Sequence, residues 1–241
     1  MVKNLYKFTL NGPITHDNLD STAPRGMNYQ LYMKITSLSK SKLIERYPKL
    51  QASEPEILNT IETMIQCYEG GGKVYICGNG GSAADAEHFS GELNKGFILK
   101  RSLSDEEKEL FKNINPEIPV QLQKSLPTIP LTSFYSTVSA FQNDCHPKYH
   151  IAQLVWSLVD QKDLLIGITT SGNSENIYYG FQTAKAKGIK TVLLTGEKRG
   201  RCAEYSDVSI PVPSQVTHEI QEYHLPIYHS ICIELEHYFF S

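Results

Sequence analysis

The sequence lacks several features that would each have pointed to a function. Its five cysteines, Cys67, Cys77, Cys145, Cys202 and Cys232, are scattered and odd in number, with no Cys-x-x-Cys pair. That argues against a disulfide scaffold and for a reduced, intracellular protein. No apolar run reaches the roughly 18 residues a spanning helix needs. The N-terminus has no basic-led apolar segment and no secretory-type cleavage site, so the expected location is the cytoplasm. The net charge is only −3 at pH 7. No basic patch or separate helix-turn-helix accompanies it, so neither nucleic acid nor an anionic membrane is an expected partner. The glycine-rich turns lack the Gly-Lys-Ser/Thr of a Walker A loop. They also lack the dinucleotide fingerprint, because they read Gly-x-Gly-Gly and no acidic residue closes the next strand.

What remains is an ordinary soluble composition, 40% hydrophobic and 20% charged over 241 residues, enough for one substantial core. Residues 1–26 have turn residues and no helical period, and are expected to be an N-terminal arm or leader, with Met27 a second possible start. Residues 27–241 are expected to form a single domain. Lys34–Leu50 and Glu54–Glu69 have helical spacing, the second with Ser53 as N-cap and Pro55 in its first turn. Short apolar runs at 73–77, 128–132, 163–169, 190–195 and 208–212 read as strands. Helices are expected at about 82–94, 137–143, 148–160, 174–187 and 217–240. An insertion at about 97–126, charged in its middle, interrupts the alternation, with a short helix expected at 105–112. Alternating strands and helices imply an α/β fold, a three-layer sandwich with a mainly parallel sheet flanked by helices.

Two loops at strand carboxyl ends carry the chemistry. Gly78-Asn-Gly-Gly-Ser82 and Thr169-Thr-Ser-Gly-Asn-Ser174 each join a strand to a helix. Hydroxyls and unpaired amides at a helix N-terminus make an anion site without any cationic side chain. The bland alternative for either loop is a strand-to-helix turn closed by a serine cap. His88 and Glu92 are four apart and share a helix face. Alone, such a pair reads more readily as solvated surface. The last helix adds His218, Gln221, Glu222, His224 and His229, more polar groups than packing or capping requires. Pro226 removes the amide that would bond back to Glu222, so a bend is expected there.

Cys77-Gly-Asn-Gly-Gly-Ser-Ala-Ala-Asp-Ala-Glu-His-Phe-Ser-Gly-Glu-Leu93, Thr170-Ser-Gly-Asn-Ser174 and Glu219-Ile-Gln-Glu-x-His224 resemble a sugar isomerase (SIS) domain, of flavodoxin-like architecture. More closely, they resemble the bacterial phosphoheptose isomerases, over roughly residues 35–238. The resemblance implies an aldose–ketose isomerase. It would convert sedoheptulose 7-phosphate to D-glycero-D-manno-heptose 7-phosphate through an enediol, for bacterial glycoconjugates. It implies substrate contacts at Asn79, Gly80, Ser82, Thr169, Thr170, Ser171 and Ser174, with Asp144 and Gln221 also lining the substrate. It puts the acid–base pair on Glu92 and His229, one zinc ion per subunit on His88, Glu92, Gln221 and His229, and sites shared within a homotetramer. Where the family has Gly-Arg after the carboxylate helix, this chain has Lys95-Gly96, leaving Lys95, Lys100 and Arg101 as candidate replacements. Rival readings are a non-catalytic partner-binding protein of the replication initiator-associating type and an isomerase of another phosphosugar.

Overall fold

The computed structural model describes residues 41–241. The arm at 1–26 and the first part of the Lys34–Leu50 helix lie outside the described residues. The rest of that expected helix is not one helix. Leu43–Arg46 forms a single turn, α1, and Pro48–Ser53 a 3-10 segment. Between them Tyr47 leaves the helical region (φ −130°, ψ 70°), which the following proline disfavours. Ser53 ends the 3-10 segment and does not cap α2 (Glu54–Glu69) with its side chain; its hydroxyl donates to the Pro211 carbonyl instead.

Five strands follow the expected positions within a residue or two: β1 (Val74–Gly78), β2 (Thr128–Pro130), β3 (Leu164–Ile168), β4 (Lys190–Gly196) and β5 (Val208–Val212). All pair in parallel, in the order β2-β1-β3-β4-β5. The remaining helices are α3 (Gly81–Asn94), α4 (Asp105–Glu109), α5 (Ile118–Gln121), α6 (Tyr135–Asp144), α7 (His150–Leu158), α8 (Glu175–Ala186) and α9 (Thr217–Phe240).

Side chains alternate across each strand, and this splits the core into two layers. Val74, Ile76, Leu164, Ile166 and Val192 face α2, α3 and α9. Tyr75, Cys77, Leu165 and Leu193 face α7 and α8. The three-layer sandwich is therefore present. Strand order reverses between β1 and β3, and the loops leaving these two strands are the two Gly/Ser loops. In open α/β sheets that crevice is where ligands bind.

The segment expected as an insertion, 97–126, divides at Arg101. The chain makes an excursion that leaves the body at Arg101 and returns at Lys124, whose N–H donates to the Arg101 carbonyl at 2.7 Å, with Ser102 and Gln123 bridged antiparallel beside it. Residues 97–99 belong to the body. Their three N–H groups donate to the carboxylate of Glu236 on α9. Within the excursion, Ser104 and Glu107 form a capping box that starts α4.

Candidate active site

Both loops turn tightly, and neither helix that follows is closed by a serine side chain. In the first, Gly78 approaches Ser82 so closely that a Cβ there would lie 2.3 Å from its carbonyl oxygen. Gly80 takes a positive φ of 53° as the N-cap of α3, with no side-chain cap bond. In the second, Gly172 sits at φ +65°, where a Cβ would be 1.7 Å from the Arg199 carbonyl oxygen. Ser174 is the N-cap of α8, yet its hydroxyl pairs with Thr169 Oγ1 at 2.9 Å rather than with its own helix. The serine-cap alternative therefore fails for both loops. No side chain caps α3 or α8; in α3 the Ser82 and Ala83 N–H groups donate to the Asn79 and Gly80 carbonyls, and the positive end of each helix still faces the crevice, where an anion is favoured. Thr169 and Ser82 are buried, whereas Asn79 and Ser171 are exposed.

Phe89 of α3 is fully buried and stacks on Tyr228 of α9, ring centroids 5.3 Å apart. Truncating a phenylalanine so placed costs about 3–5 kcal/mol. This contact sets two co-directional helices side by side. Gln221 lies against Gly81, where a Cβ would meet its Nε2 at 2.6 Å. Two turns further on, His229 lies against His88, their Nε2 atoms 3.4 Å apart.

His88 is oriented from behind. Tyr228 donates its hydroxyl to Asp85 Oδ1 at 3.3 Å, and the same oxygen lies 3.0 Å from His88 Nδ1. With its own proton committed to Asp85, the tyrosine oxygen accepts from Nδ1–H. The bare Nε2 of a neutral His88 then faces Glu92 Oε1 at 3.3 Å. A lone pair facing a carboxylate oxygen calls for a cation or a proton between them. Lys95 Nζ takes the other oxygen, Glu92 Oε2, at 2.8 Å. Partial burial lowers the pKa of His229, against the nearby Glu92 carboxylate, which favours the neutral form that a ligand or a proton acceptor needs. Burial raises that of Asp85, against the Tyr228 hydrogen bond.

The donor set suits zinc in kind. Separations of 3.3 and 3.4 Å match the edge of a tetrahedron with bonds of about 2.0–2.1 Å. The Tyr228–Asp85 pair behind His88 is the usual outer support of a ligating imidazole. As they stand, though, no three His, Cys, Asp or Glu donors among the described residues converge on one ion position. The pairwise distances are the more informative here, because small side-chain adjustments set convergence while the elements set the spacing. Gln221 does not join the other three in one chain. It is eight residues, about 12 Å of helix, from His229.

Other expectations fare unevenly. Arg101 is not a free replacement for the family's arginine. Its side chain is 0% exposed, paired with Glu236 at 2.8 Å and donating to the carbonyls of Leu93 and Glu92. Lys95 is held by Glu92. Asp144 is exposed at the end of α6 and accepts from Asn143. His218 and Glu222 are exposed, and His224 is buried with neither ring nitrogen in hydrogen-bond geometry among the described residues. α9 is one helix across Pro226. Two contributors escaped the sequence. Asn176 pairs with Asn79 through two amide bonds, and His150 lies behind Asn176. Asn176 had a signal, being a polar residue in the first turn of a helix that follows a Gly/Ser loop; His150 had none. A cavity of about 490 Å³ at the other end of the sheet, lined by Gln66, Asp163, Lys190 and Asp207, touches neither loop.

A SIS domain family model matches residues 41–196. A phosphoheptose isomerase of Helicobacter pylori is 34% identical over 190 residues, covering 79% of this chain and 88% of its own. One from Clostridium acetobutylicum is 37% identical over 177 residues, covering 73% and 79%. Among solved structures, a phosphoheptose isomerase from Francisella tularensis superposes with a TM-score of 0.67 at 31% identity, over 86% of this chain and 98% of that one. One from Neisseria gonorrhoeae gives 0.62 at 27%, over 86% and 92%. The carboxylate and imidazoles lie on α3 and α9, and the uncapped loops flank the switch point of a SIS sheet; with relatives at this identity along most of its length, the chain belongs to the phosphoheptose isomerases.

Proposed function

We propose that the protein interconverts sedoheptulose 7-phosphate and D-glycero-D-manno-heptose 7-phosphate. The observation that carries this is the paired architecture: two uncapped helix N-termini for a phosphate, and Glu92 with His88 and His229 for proton transfer. The phosphate end is gripped by Ser82, Thr169, Ser171, Ser174 and the loop amides around Gly80 and Thr170, with Asn79 donating from the rim. Isomerisation needs one group to take a proton from the carbon beside the carbonyl and return it to the neighbouring carbon. Another must move a proton between the two oxygens. Glu92 suits the first task, and neutral His229 the second.

The site is completed between copies of the chain, in a homotetramer. Glu92 is eleven residues beyond Gly81, about 16 Å along α3. An extended seven-carbon phosphate with C–C bonds of about 1.5 Å spans roughly 10 Å from C1 to phosphorus. The phosphate loops of one chain thus pair with the carboxylate of another, and Gln221 and Asp144 join the substrate from that arrangement. α6 buries none of its residues within its own chain, as a helix packed against another copy would.

Zinc is the second part of the proposal. His88, Glu92 and His229 would hold it, with Gln221 of another copy as fourth donor, and it would polarise the substrate carbonyl as a Lewis acid. A His229 nitrogen bound to metal is not at the same time a proton shuttle, so metal removal separates the two roles. The test is conversion of sedoheptulose 7-phosphate by purified protein before and after verified removal of metal. Loss of activity restored by zinc supports the metal; unchanged activity overturns that part alone. No conversion under either condition overturns the substrate. The heptose would feed bacterial glycoconjugate synthesis in the cytoplasm. Among the described residues no helix is long and apolar enough to cross a membrane.

A further inference from the structure

Asn79 stands at the rim of the first loop, exposed, and its usefulness to an anion depends on which way its amide faces. A carboxamide turned by 180° exchanges an N–H donor for a carbonyl oxygen, which repels a phosphate. Asn79 and Asn176 form a reciprocal pair: Asn79 Nδ2 donates to Asn176 Oδ1 at 2.9 Å, and Asn176 Nδ2 donates to Asn79 Oδ1 at 2.8 Å. Such a pair is indifferent to both amides turning together. Something outside it must break the tie.

His150, the first residue of α7, does so. Its Nδ1 lies 2.8 Å from the Pro147 carbonyl oxygen. A carbonyl only accepts, so Nδ1 carries the proton and Nε2 of the neutral ring is a bare acceptor. Gln142 Nε2 also lies near Nδ1, at the longer distance of 3.2 Å; with Nδ1–H given to the nearer carbonyl, that amide bonds there only when turned to present its oxygen. Nε2 lies 3.2 Å from Asn176 Nδ2. It therefore requires the nitrogen of Asn176, not its oxygen, to face the ring. Both N–H groups of Asn176 are then spent, one on His150 and one on Asn79. That in turn leaves Asn79 with one N–H free.

We propose that His150, acting through Asn176, is a positioning residue that holds Asn79 with its free N–H toward an anionic phosphate at the switch point. The proposal rests on the phosphate-cradle reading of the two loops but not on the sugar that carries the phosphate. It adds two residues, from α7 and α8, to a site otherwise assigned to the loops and to α3, α6 and α9.

The experiment compares wild type, His150→Phe and His150→Gln by calorimetric titration with inorganic phosphate, and by kcat and KM on sedoheptulose 7-phosphate. Phenylalanine keeps the ring and removes the acceptor; glutamine loses the ring but places an oxygen where Nε2 was. The expected result is an affinity loss of about tenfold in His150→Phe, the worth of one hydrogen bond to a charged group. His150→Gln stays within about threefold of wild type, and in turnover the loss falls on KM more than on kcat. A residue that only packs would give the reverse order. Wild-type affinity in His150→Phe, or equal losses in both variants, overturns the proposal, as does a wild type that binds no phosphate. If His150→Phe does not fold, Asn176→Leu takes its place with the same readings. Phosphate affinities in the expected order without heptose turnover would leave the positioning role standing and overturn the isomerase.

Discussion

At the scale of single residues, the account turns on Glu92 and on what surrounds it. Its Oε1 faces His88 and its Oε2 holds Lys95, so glutamine fits the same space while losing the capacity to take a proton. Glu92→Gln is expected to lower kcat by about 10²–10⁴-fold with an unchanged circular dichroism spectrum and melting temperature; full activity would remove Glu92 from the chemistry. His224 makes a different prediction. Burial pushes its pKa down to about 4, against the nearby Thr195 backbone. The unfolded chain therefore binds the proton first as pH falls. Stability is lost between the ordinary value of about 6.5 and the folded value of about 4, about 3 kcal/mol in all. His224→Leu should flatten that acid limb in urea unfolding measured at pH 7 and pH 4.5, and an unchanged limb would place the lability elsewhere.

At the scale of elements, the join between α9, the end of α3 and the neck of the excursion is the least replaceable part of the frame. Glu236 accepts from Phe97, Ile98 and Leu99 and from Arg101, which in turn covers the last carbonyls of α3. Burial alone would raise the Glu236 pKa, but these four donors hold it below the usual carboxylate value. An isolated buried ion pair is often replaceable by apolar residues; this one is not, because three backbone amides would be orphaned. Glu236→Leu is expected to cost about 3–5 kcal/mol in chemical unfolding, and adding Arg101→Met should restore little. Near-complete restoration would mean the amides find other partners. The excursion itself should be dispensable to the fold. Joining Arg101 to Lys124 through a short Asn-Gly turn, in place of residues 102–123, is expected to leave the melting temperature within a few degrees, because chain ends already hydrogen-bonded close cheaply.

At the scale of the whole molecule, the local parts of the design were legible and the relations between parts were not. Strands and loops showed in short apolar runs ending in Gly and Ser, because strand burial and helix N-termini depend on neighbouring residues. The excursion was visible as a charged interruption, but its neck was not, since Arg101 and Lys124 meet only in three dimensions. His88 and Glu92 were readable from spacing of four. That Gln221 and His229 diverge, one beside Gly81 and the other beside His88, follows from the packing of α9 on α3. The Asn79–Asn176–His150 relay joins three separate segments and left no pattern along the chain. Helix period misled once, at Pro48, where one proline outweighs the pattern on either side.

The central claim is that this chain moves a proton between adjacent carbons of a heptose phosphate. It is tested most directly by running the reaction in D2O and following product by NMR. The account predicts conversion of sedoheptulose 7-phosphate to the aldose with deuterium entering at C2, and neither conversion nor exchange with Glu92→Gln. Folded protein that binds phosphate yet leaves the sugar unconverted and unlabelled would contradict it.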